Sequence, residues 1–336
     1  MELRTLGRAG LRVSALGFGC GDVGGLIVRG TPADRERAVA RATEAGINYF
    51  DTASSYGSGE SERNLGRALK AVGVHPFVGT KFRVDPAETD LAGAIARSLE
   101  ASLERLGVER VDLFQLHNLI VRDDGAPAAG RGLTTRRILN EVMPALAALR
   151  RQGKIRFAGI TALGDTAAVH AMLDAGVVDT AQVCLNLLNP SAAVAVPAGF
   201  PAQDFGRLLD RARQRGVGVI NIRVLAAGAL SGTLTRHATA VPSVAPIASG
   251  ADYAADVDQA RRLRPVVDKG YAEDLMEASV RFALANEAVS TVLVGYSTLE
   301  HLERAITVVE RGPLPEPALR LLGELWAGMG QAAAGR

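Results

Sequence analysis

The chain has 336 residues, of which 48% are hydrophobic and only 4% aromatic, with 38 basic and 36 acidic side chains. This length exceeds the usual size of one domain but suits the larger α/β folds, and the hydrophobic content is sufficient for a large core built from Ala, Val and Leu. A formal net charge of +2 creates no strong electrostatic field, so neither nucleic acid nor an acidic membrane surface is expected as a partner.

The first residues carry charged side chains and no apolar h-region, so no signal peptide is predicted. The longest apolar run, residues 216–232, is interrupted by Asn221 and Arg223 and is too short for a membrane span. Cys20 and Cys184 lie in apolar, strand-like segments. They are predicted to be buried thiols of a cytoplasmic protein and not a disulfide pair.

Strand and helix patterns alternate along most of the chain. A β-hairpin is predicted first, from residues 3–6 and 11–13. Strands are predicted near 15–19, 47–51, 77–80, 111–116, 155–160, 178–184, 217–222 and 291–294. Helices are predicted near 34–45, 60–71, 88–106, 136–151, 165–174, 202–214, 271–285 and 298–310. Strict alternation of strand–helix units indicates a parallel sheet, and this number of units indicates a closed barrel.

Three connections are longer than a strand-to-helix loop requires: 118–134, 186–201 and 232–270. Each follows a predicted strand, so all three are expected at one end of the barrel, covering the substrate and the cofactor. Disordered insertions remain the alternative. The tail, 313–336, contains a short amphipathic helix that is expected to pack on the barrel.

Polar side chains stand where three successive strands end. Asp51 ends the second barrel strand, and Tyr56 follows it in a glycine-rich loop. Lys81 follows the third strand and His117 the fourth. Because the carboxyl ends of parallel strands share one edge, we expect these four residues to form one site.

The segments that carry these residues resemble the aldo-keto reductases: FDTASSYGSGESERNLGRAL at 50–69, Thr80-Lys81, and DLFQLH at 112–117. The resemblance extends over nearly the whole chain. It implies that residues 1–336 form one α/β domain, a (β/α)8 TIM barrel with an N-terminal β-hairpin closing the bottom and long loops at the C-terminal face. It also implies hydride transfer between a nicotinamide cofactor, NADP or NAD, and a small-molecule carbonyl or its alcohol.

Reduction of a carbonyl needs a hydride on carbon and a proton on oxygen. A tyrosine can supply that proton but is a weak acid at neutral pH, and a nearby ammonium group stabilises its phenolate form. The resemblance therefore assigns Tyr56 as the general acid/base, Lys81 and Asp51 as the pair that tunes it, and His117 as the residue that orients the carbonyl oxygen. Each residue alone also has a structural interpretation, but together they favour catalysis.

The cofactor-binding positions come from the resemblance. They are Gly19, Cys20, Thr161, Gln182, Ile222, Arg223, Leu225, Gly228, Ser231, Gly295, Ser297, Thr298, His301 and Arg304. Gln182 matches a glutamine that binds the carboxamide, since two amides can pair in both directions. Thr161 replaces part of a Ser-Asn pair, and Ile222 replaces a stacking aromatic residue. Arg223 replaces a serine that binds pyrophosphate and adds a charge, although a structural ion pair remains the alternative.

The adenosine end differs most from the family pattern. Backbone N–H groups at the helix start near Ser297 and Thr298 suit an adenosine phosphate. The basic residues that commonly bind a 2′-phosphate are replaced by Gly295 and His301, while Arg304 lies one helical turn further on. NADP held by Arg304 and tolerance of NAD both remain open, and the second is favoured.

Residues 19–24 also fit the G-x-G-x-x-G pattern of dinucleotide-binding folds. We expect no helix before residue 31, so the last glycine would not begin one, and Asp51 lies further along the chain than that motif requires. The Rossmann interpretation is therefore rejected.

The sequence favours an enzyme that acts on a small polar carbonyl compound such as a sugar. One alternative is a cofactor-binding regulatory barrel that resembles channel β-subunits, with little turnover. Another is a barrel isomerase or aldolase in which Lys81 forms a Schiff base. No metal site is predicted from the scattered histidines, and the oligomeric state is not predicted.

Overall fold

Short apolar segments alternate with amphipathic ones, and they fold into a closed parallel barrel surrounded by helices, as predicted. The computed structural model describes residues 1–124 and 132–334. The strands are β1 Leu3–Thr5, β2 Arg12–Ser14, β3 Leu16–Gly19, β4 Tyr49–Asp51, β5 Phe77–Phe82, β6 Val111–Leu116, β7 Leu119–Val121, β8 Gly132–Thr134, β9 Ile155–Thr161, β10 Thr180–Cys184, β11 Gly218–Ile222 and β12 Val289–Gly295. The barrel order is β10-β11-β12-β3-β4-β5-β6-β9, with every neighbouring pair parallel.

Helices follow the barrel strands and cover the outside of the sheet. They are α1 Leu26–Arg29, α2 Pro32–Glu44, α3 Glu60–Val72, α4 Leu91–Leu106, α5 Thr135–Arg137, α6 Met143–Arg151, α7 Thr166–Asp174, α8 Leu208–Gln214, α9 Tyr253–Arg261, α10 Pro265–Asp268, α11 Leu275–Leu284, α12 Leu299–Glu310 and α13 Glu316–Ala334. Asp165 accepts a hydrogen bond from Ala168 N at 2.9 Å and caps α7.

Two predicted helices differ from the structure. The helix expected over 202–214 begins only at Leu208. Gly206 and Arg207 have left-handed backbone angles, φ 58° and 56°, which no helix accommodates. The helix expected over 136–151 contains a π-helical segment, Ile138–Val142, between α5 and α6.

The hairpin of β1 and β2 closes the N-terminal end of the barrel, which confirms that expectation. The hairpin and the barrel strands share a hydrophobic cluster inside the barrel. Leu6, Leu11 and Val13 of the hairpin pack there with Tyr49, Leu113, Ile220 and Leu293. At Gly7, where φ is 46°, an added Cβ would lie 2.1 Å from Gly218 N. Only glycine allows the hairpin to approach the barrel this closely. This hairpin does not cover the opposite end of the barrel, where the strands have their C-terminal ends, so a site can form there.

The three long connections have different fates. Residues 232–270 are not a simple loop, because they contain α9 and α10, and several of them line the cleft at the C-terminal ends of the strands. Residues 186–201 line no part of this cleft as described, contrary to expectation. Asn189 and Ser191 instead tie that segment to Gln203 O by hydrogen bonds of 2.9 and 3.0 Å.

The connection 118–134 contains β7 and β8, which pair with each other in a separate two-stranded sheet. Residues 125–131 of this connection lie outside the described residues, and they include all of the AlaProAlaAlaGlyArgGly stretch except Gly132, which begins β8. The expectation of a covering loop there stays a prediction.

A short helix begins after the glycines at 19–24, where none was expected. Helix α1 starts at Leu26, and Gly25 precedes it in a left-handed conformation with φ 84°. The argument against a Rossmann fold that relied on a missing helix was therefore wrong. The conclusion holds for a different reason, since the strands close into a barrel.

The C-terminal helix α13, longer than expected, packs on the barrel as predicted. Trp326 Nε1 donates to Leu187 O at 2.9 Å, and its ring lies 5.3 Å from that of Phe282. Within the described residues, no helix combines the length and the apolar character that crossing a bilayer requires.

Candidate active site

A cleft of about 1540 Å³ lies at the C-terminal ends of the barrel strands. Asp51, Tyr56 and His117 are part of its wall at one end, and His301 and Arg304 are part of it at the other. Active sites of parallel barrels occupy this face because all the strands deliver side chains and loops there.

The motif around Tyr56 fixes the loop that carries this residue. Ser61, buried at the start of α3, donates to Cys20 O at 2.7 Å and thereby joins the loop to the end of β3. Glu62, also buried, accepts hydrogen bonds from Thr80 Oγ1 and from Arg105 Nε. These contacts explain why polar residues follow Tyr56 in the sequence although they lie in the interior.

Lys81 and Asp51 form an ion pair inside the protein, with 1% and 3% of their surfaces exposed. Lys81 Nζ donates to Asp51 Oδ1, to Thr52 O at 2.7 Å and to Tyr56 Oη at 3.2 Å. All three donor hydrogens of the ammonium group are thus used, which a buried Lys requires. Lys81 itself does not line the cleft and lies behind Tyr56.

The charge on Lys81 is maintained by its partners. Burial by itself would lower the pKa of Lys81, but the opposite charge of Asp51, together with Tyr56, outweighs burial and raises this pKa above its ordinary value. The ammonium form therefore persists at neutral pH, as stabilisation of a phenolate requires.

The second carboxylate oxygen of Asp51 accepts three further hydrogen bonds. The donors are Tyr49 Oη at 3.0 Å, Gln115 Nε2 at 3.2 Å and Gln182 Nε2 at 2.7 Å. Gln182 was assigned to the cofactor carboxamide, and here its amide nitrogen is already engaged by Asp51. The carboxylate is thus held from several strands at once.

His117 faces Tyr56 across the cleft, with ring centroids 6.0 Å apart and the planes nearly perpendicular. Burial, followed by the charges of Lys81 and Arg83, lowers the pKa of His117 to about 2. Its imidazole is therefore neutral throughout the physiological range. A neutral ring has one N–H that can donate to a substrate oxygen.

The four residues predicted from strand ends therefore meet in one place. The cofactor positions expected from the sequence also line the cleft, with two exceptions, Cys20 and Thr298. Cys20 is buried behind the wall. The Thr298 hydroxyl accepts from His301 N at 3.3 Å and caps α12.

The wall near β9 and β10 is suited to an amide group. Thr161 Oγ1 is buried in that wall and has no hydrogen-bond partner among the described residues. A buried hydroxyl without a partner is costly, and a carboxamide of a ligand would satisfy it. Ile222, at the end of β11, offers an apolar contact in the same cleft. These residues fit a nicotinamide.

The loop after β11 has an unusual backbone. Arg223, Ala226 and Ala227 have φ values of 58°, 47° and 58°, and Gly228 follows with 105°. Residues other than glycine rarely occupy this region, and such strain tends to occur at functional sites. The half-buried Arg223 side chain has no carboxylate partner among the described residues, so it is available for an anion.

Arg304, at the opposite end of the cleft, is already paired. It donates to Glu273 Oε2 at 2.6 Å, Asp274 Oδ2 at 3.3 Å and Glu277 Oε2 at 3.2 Å. The carboxylate of Glu277 also accepts from Arg311 at 2.7 Å. The guanidinium group of Arg304 thus belongs to an ion-pair network.

Sequence reasoning missed Tyr49, Gln115 and Arg83 as parts of this site. Tyr49 could have been found, since residues two apart on a strand face the same side, and Asp51 was already assigned. Gln115 lies in the DLFQLH motif but was not given a role. Within the residues that the structure describes, no group of side chains is arranged to hold a metal ion.

Replacement of two buried tyrosines by phenylalanine tests whether the Tyr49 hydroxyl stabilises the buried carboxylate of Asp51. Tyr49 and Tyr296 are each 1% exposed, but only the Tyr49 hydroxyl has a hydrogen-bond partner among the described residues. We expect Tyr49→Phe to lower the free energy of unfolding by about 1.5–3 kcal/mol, because a charged acceptor loses a donor. Tyr296→Phe should leave it unchanged or raise it. Urea unfolding of both variants measures the difference, and equal losses would contradict the role given to Tyr49.

Comparison with known proteins agrees with this geometry. The model of the aldo/keto reductase family matches residues 15–327. L-Galactose dehydrogenase from Arabidopsis thaliana is 31% identical, over 92% of this chain and 88% of the relative. L-Glyceraldehyde 3-phosphate reductase from Escherichia coli K12 is 27% identical, over 91% and 87%.

Among solved structures, the holo form of the aldo-keto reductase AKR11C1 from Bacillus halodurans superposes with a TM-score of 0.73, at 23% identity over 97% of this chain and 96% of that one. At this identity the likeness concerns the fold, a (β/α)8 barrel. Together with the family match and the relatives, it leads to one conclusion: the chain belongs to the aldo/keto reductase family.

Proposed function

We propose that this protein is an NAD(P)-dependent oxidoreductase that interconverts a small polar aldehyde or ketone and its alcohol, with Tyr56 as the general acid/base. The observation that carries the proposal is the contact of Tyr56 Oη with the buried ammonium group of Lys81, 3.2 Å away, at the wall of the cleft. Family membership supports an oxidoreductase.

A bound nicotinamide nucleotide supplies the hydride in reduction and accepts it in oxidation. During reduction, Tyr56 Oη donates a proton to the carbonyl oxygen, and the ammonium of Lys81 stabilises the phenolate that remains. Neutral His117 donates a hydrogen bond to the same oxygen and thereby orients the carbonyl. Asp51 keeps Lys81 charged and in place. In oxidation the same groups work in reverse.

The nucleotide would be held by residues along the cleft wall. We assign Thr161 Oγ1 and Gln182 Oε1, the amide atom that Asp51 does not engage, to the carboxamide and Ile222 to the ring. We assign Arg223, which has no carboxylate partner among the described residues, to the pyrophosphate, whose charge is opposite to its own. We also assign Leu225, Gly228 and Ser231, which follow Arg223 on the same loop, to cofactor binding. Gly19 and Gly295, at the ends of adjacent strands, would allow close approach.

The substrate is proposed to be small and polyhydroxylated. The relatives are named for a hexose, L-galactose, and for a phosphorylated triose, L-glyceraldehyde 3-phosphate. We further propose that the chain acts as one barrel domain, since the family match runs from 15 to 327, and that it works in the cytoplasm, consistent with two unpaired cysteines.

The alternatives are less well supported. A Schiff-base role for Lys81 is disfavoured because its Nζ is buried behind Tyr56 and carries three hydrogen bonds. A purely regulatory barrel has no need for an ion pair behind the phenol, and burial of charges is costly. We therefore favour a catalytic barrel.

We also propose that the protein tolerates NAD, with only modest discrimination between NAD and NADP. Arg304, the cation that the sequence suggests for the 2′ position, is engaged by carboxylates of α11 and of the turn before it. His301 is neutral at pH 7, because burial, followed by the charge of His237, lowers its pKa. A 2′-phosphate would thus meet no available fixed charge from these residues.

Replacement of Tyr56 tests the acid/base role. Tyr56→Phe removes the proton donor but keeps the ring, so carbonyl reduction should fall by about two to four orders of magnitude, the usual range for general acid–base catalysis. Fluorescence titration with NADH should show nearly native cofactor affinity. Turnover close to that of the native protein would refute the assignment.

Cofactor choice is tested at His301. We expect His301→Arg to strengthen NADPH binding roughly tenfold, the effect of about 1.4 kcal/mol from a new charge-assisted hydrogen bond, and to leave NADH binding almost unchanged. Arg304→Ala is the matched variant and should weaken NADPH and NADH similarly. If Arg304→Ala selectively weakens NADPH binding, Arg304 is the phosphate ligand and the proposed tolerance of NAD with modest discrimination is wrong.

A further inference from the structure

The arginines that line the cleft fall into two groups. Arg236 donates to Ala227 O and Val241 O, each at 2.7 Å, and so its guanidinium group is satisfied. Arg304 is likewise engaged, by carboxylates. Arg83 and Arg223 line the same cleft and have no carboxylate partner among the described residues. Two cations are thus available to anionic ligands.

Arg83 is held on a rigid part of the site. Its Nε donates to His117 O at 3.2 Å, and His117 N donates back to Phe82 O at 2.8 Å. Asn118 pairs with the next residue, Val84, accepting from its N–H at 3.0 Å and donating to its C=O at 2.8 Å. These bonds fix the backbone of Arg83 beside the backbone of His117.

The acidic side chain nearest to Arg83 in the sequence is otherwise occupied. Asp85 is exposed and lines the cleft, and its Oδ1 accepts from Ala87 N at 2.8 Å in a tight turn. It makes no ion pair with Arg83 in the described part of the chain. Arg83 is exposed and lines the cleft, and its outer guanidinium nitrogens have no carboxylate partner among the described residues.

Arg83 and Arg223 lie on different parts of the cleft wall. Arg223 lies on the loop after β11, where we place the pyrophosphate. Arg83 extends from the end of β5 on the side of His117, where the carbonyl is oriented between His117 and Tyr56. A group attached to the carbonyl by a short chain would reach Arg83, which can bind phosphate or carboxylate through two parallel hydrogen bonds.

We propose that Arg83 binds an anionic group, phosphate or carboxylate, carried by the substrate a short chain away from its carbonyl carbon. This proposal rests on the proposed oxidoreductase function and narrows its substrate class. Because such a contact is made equally in the ground state and in the transition state, its loss raises KM and changes kcat little.

The test compares matched aldehydes in steady-state reduction with NADH and NADPH. Glyceraldehyde 3-phosphate is compared with glyceraldehyde, and succinic semialdehyde with butanal. We expect the wild type to prefer one anionic member, and the pair in which it does so identifies phosphate or carboxylate. In Arg83→Gln, kcat/KM for that anionic aldehyde should fall at least about tenfold more than for its neutral partner, mainly through KM.

Arg110→Gln is the control, since it removes the same charge from an exposed residue at the opposite end of the barrel, just before β6. It should preserve the preference, and Arg83→Lys should restore it in part. Two results would overturn the proposal if neutral aldehydes are still reduced. One is an equal loss of kcat/KM for both members of each pair in Arg83→Gln, and the other is a wild type without preference for an anionic aldehyde.

A second readout does not depend on turnover. Calorimetry with glycerol 3-phosphate and with succinate should show binding of one of them to the wild type, weakened at least about tenfold in Arg83→Gln. Equal affinity of both proteins would refute the role of Arg83. Absence of any aldehyde reduction, neutral or anionic, would instead refute the proposed function.

Discussion

The ion pair between Lys81 and Asp51 is the constraint on which the site depends. Both charges are removed from water, and removal of one partner from such a pair usually costs about 3–5 kcal/mol. Both buried charges are stabilised because every donor of the ammonium group has an acceptor and the carboxylate is surrounded by donors. The ammonium group of Lys81 therefore stays charged next to Tyr56. Because the group is buried, water screens its interaction with the Tyr56 hydroxyl less than it would at the surface.

A closed barrel is what makes this arrangement possible. Asp51 on β4 and Lys81 on β5 are on neighbouring strands, but Gln182 comes from β10, four places away in the ring of eight and thus opposite β4. Its amide reaches Asp51 across the barrel interior, above the apolar cluster that the N-terminal hairpin seals. The apolar cluster on one side and the hydrogen bonds from Tyr49, Gln115 and Gln182 on the other therefore hold the Asp51 carboxylate in place. The stability of the fold and the geometry of the site thus depend on the same residues.

Much of this could be predicted from the sequence, because strand ends are local signals. Asp51 and His117 each end or follow a short apolar run, and the alternation of elements predicts that such ends meet. The bond from Gln182 to Asp51 could not be predicted, since it depends on the diameter of the closed barrel. The pairing of Arg304 with Glu273 was missed for a similar reason: the two residues lie on different elements, and only packing of α12 beside α11 brings them together.

The most direct test of the account is the pH dependence of alcohol oxidation in Lys81→Met. In the proposed mechanism, oxidation uses the phenolate of Tyr56 as the base, and the ammonium group of Lys81 stabilises that phenolate. The account predicts that the pH of half-maximal rate moves upward in Lys81→Met and moves by less in Asp51→Asn, which retains the lysine. Fluorescence titration with NADH verifies that both variants still bind the cofactor. A pH profile identical to that of the wild type in Lys81→Met would contradict the central claim that the buried ammonium controls the proton on Tyr56.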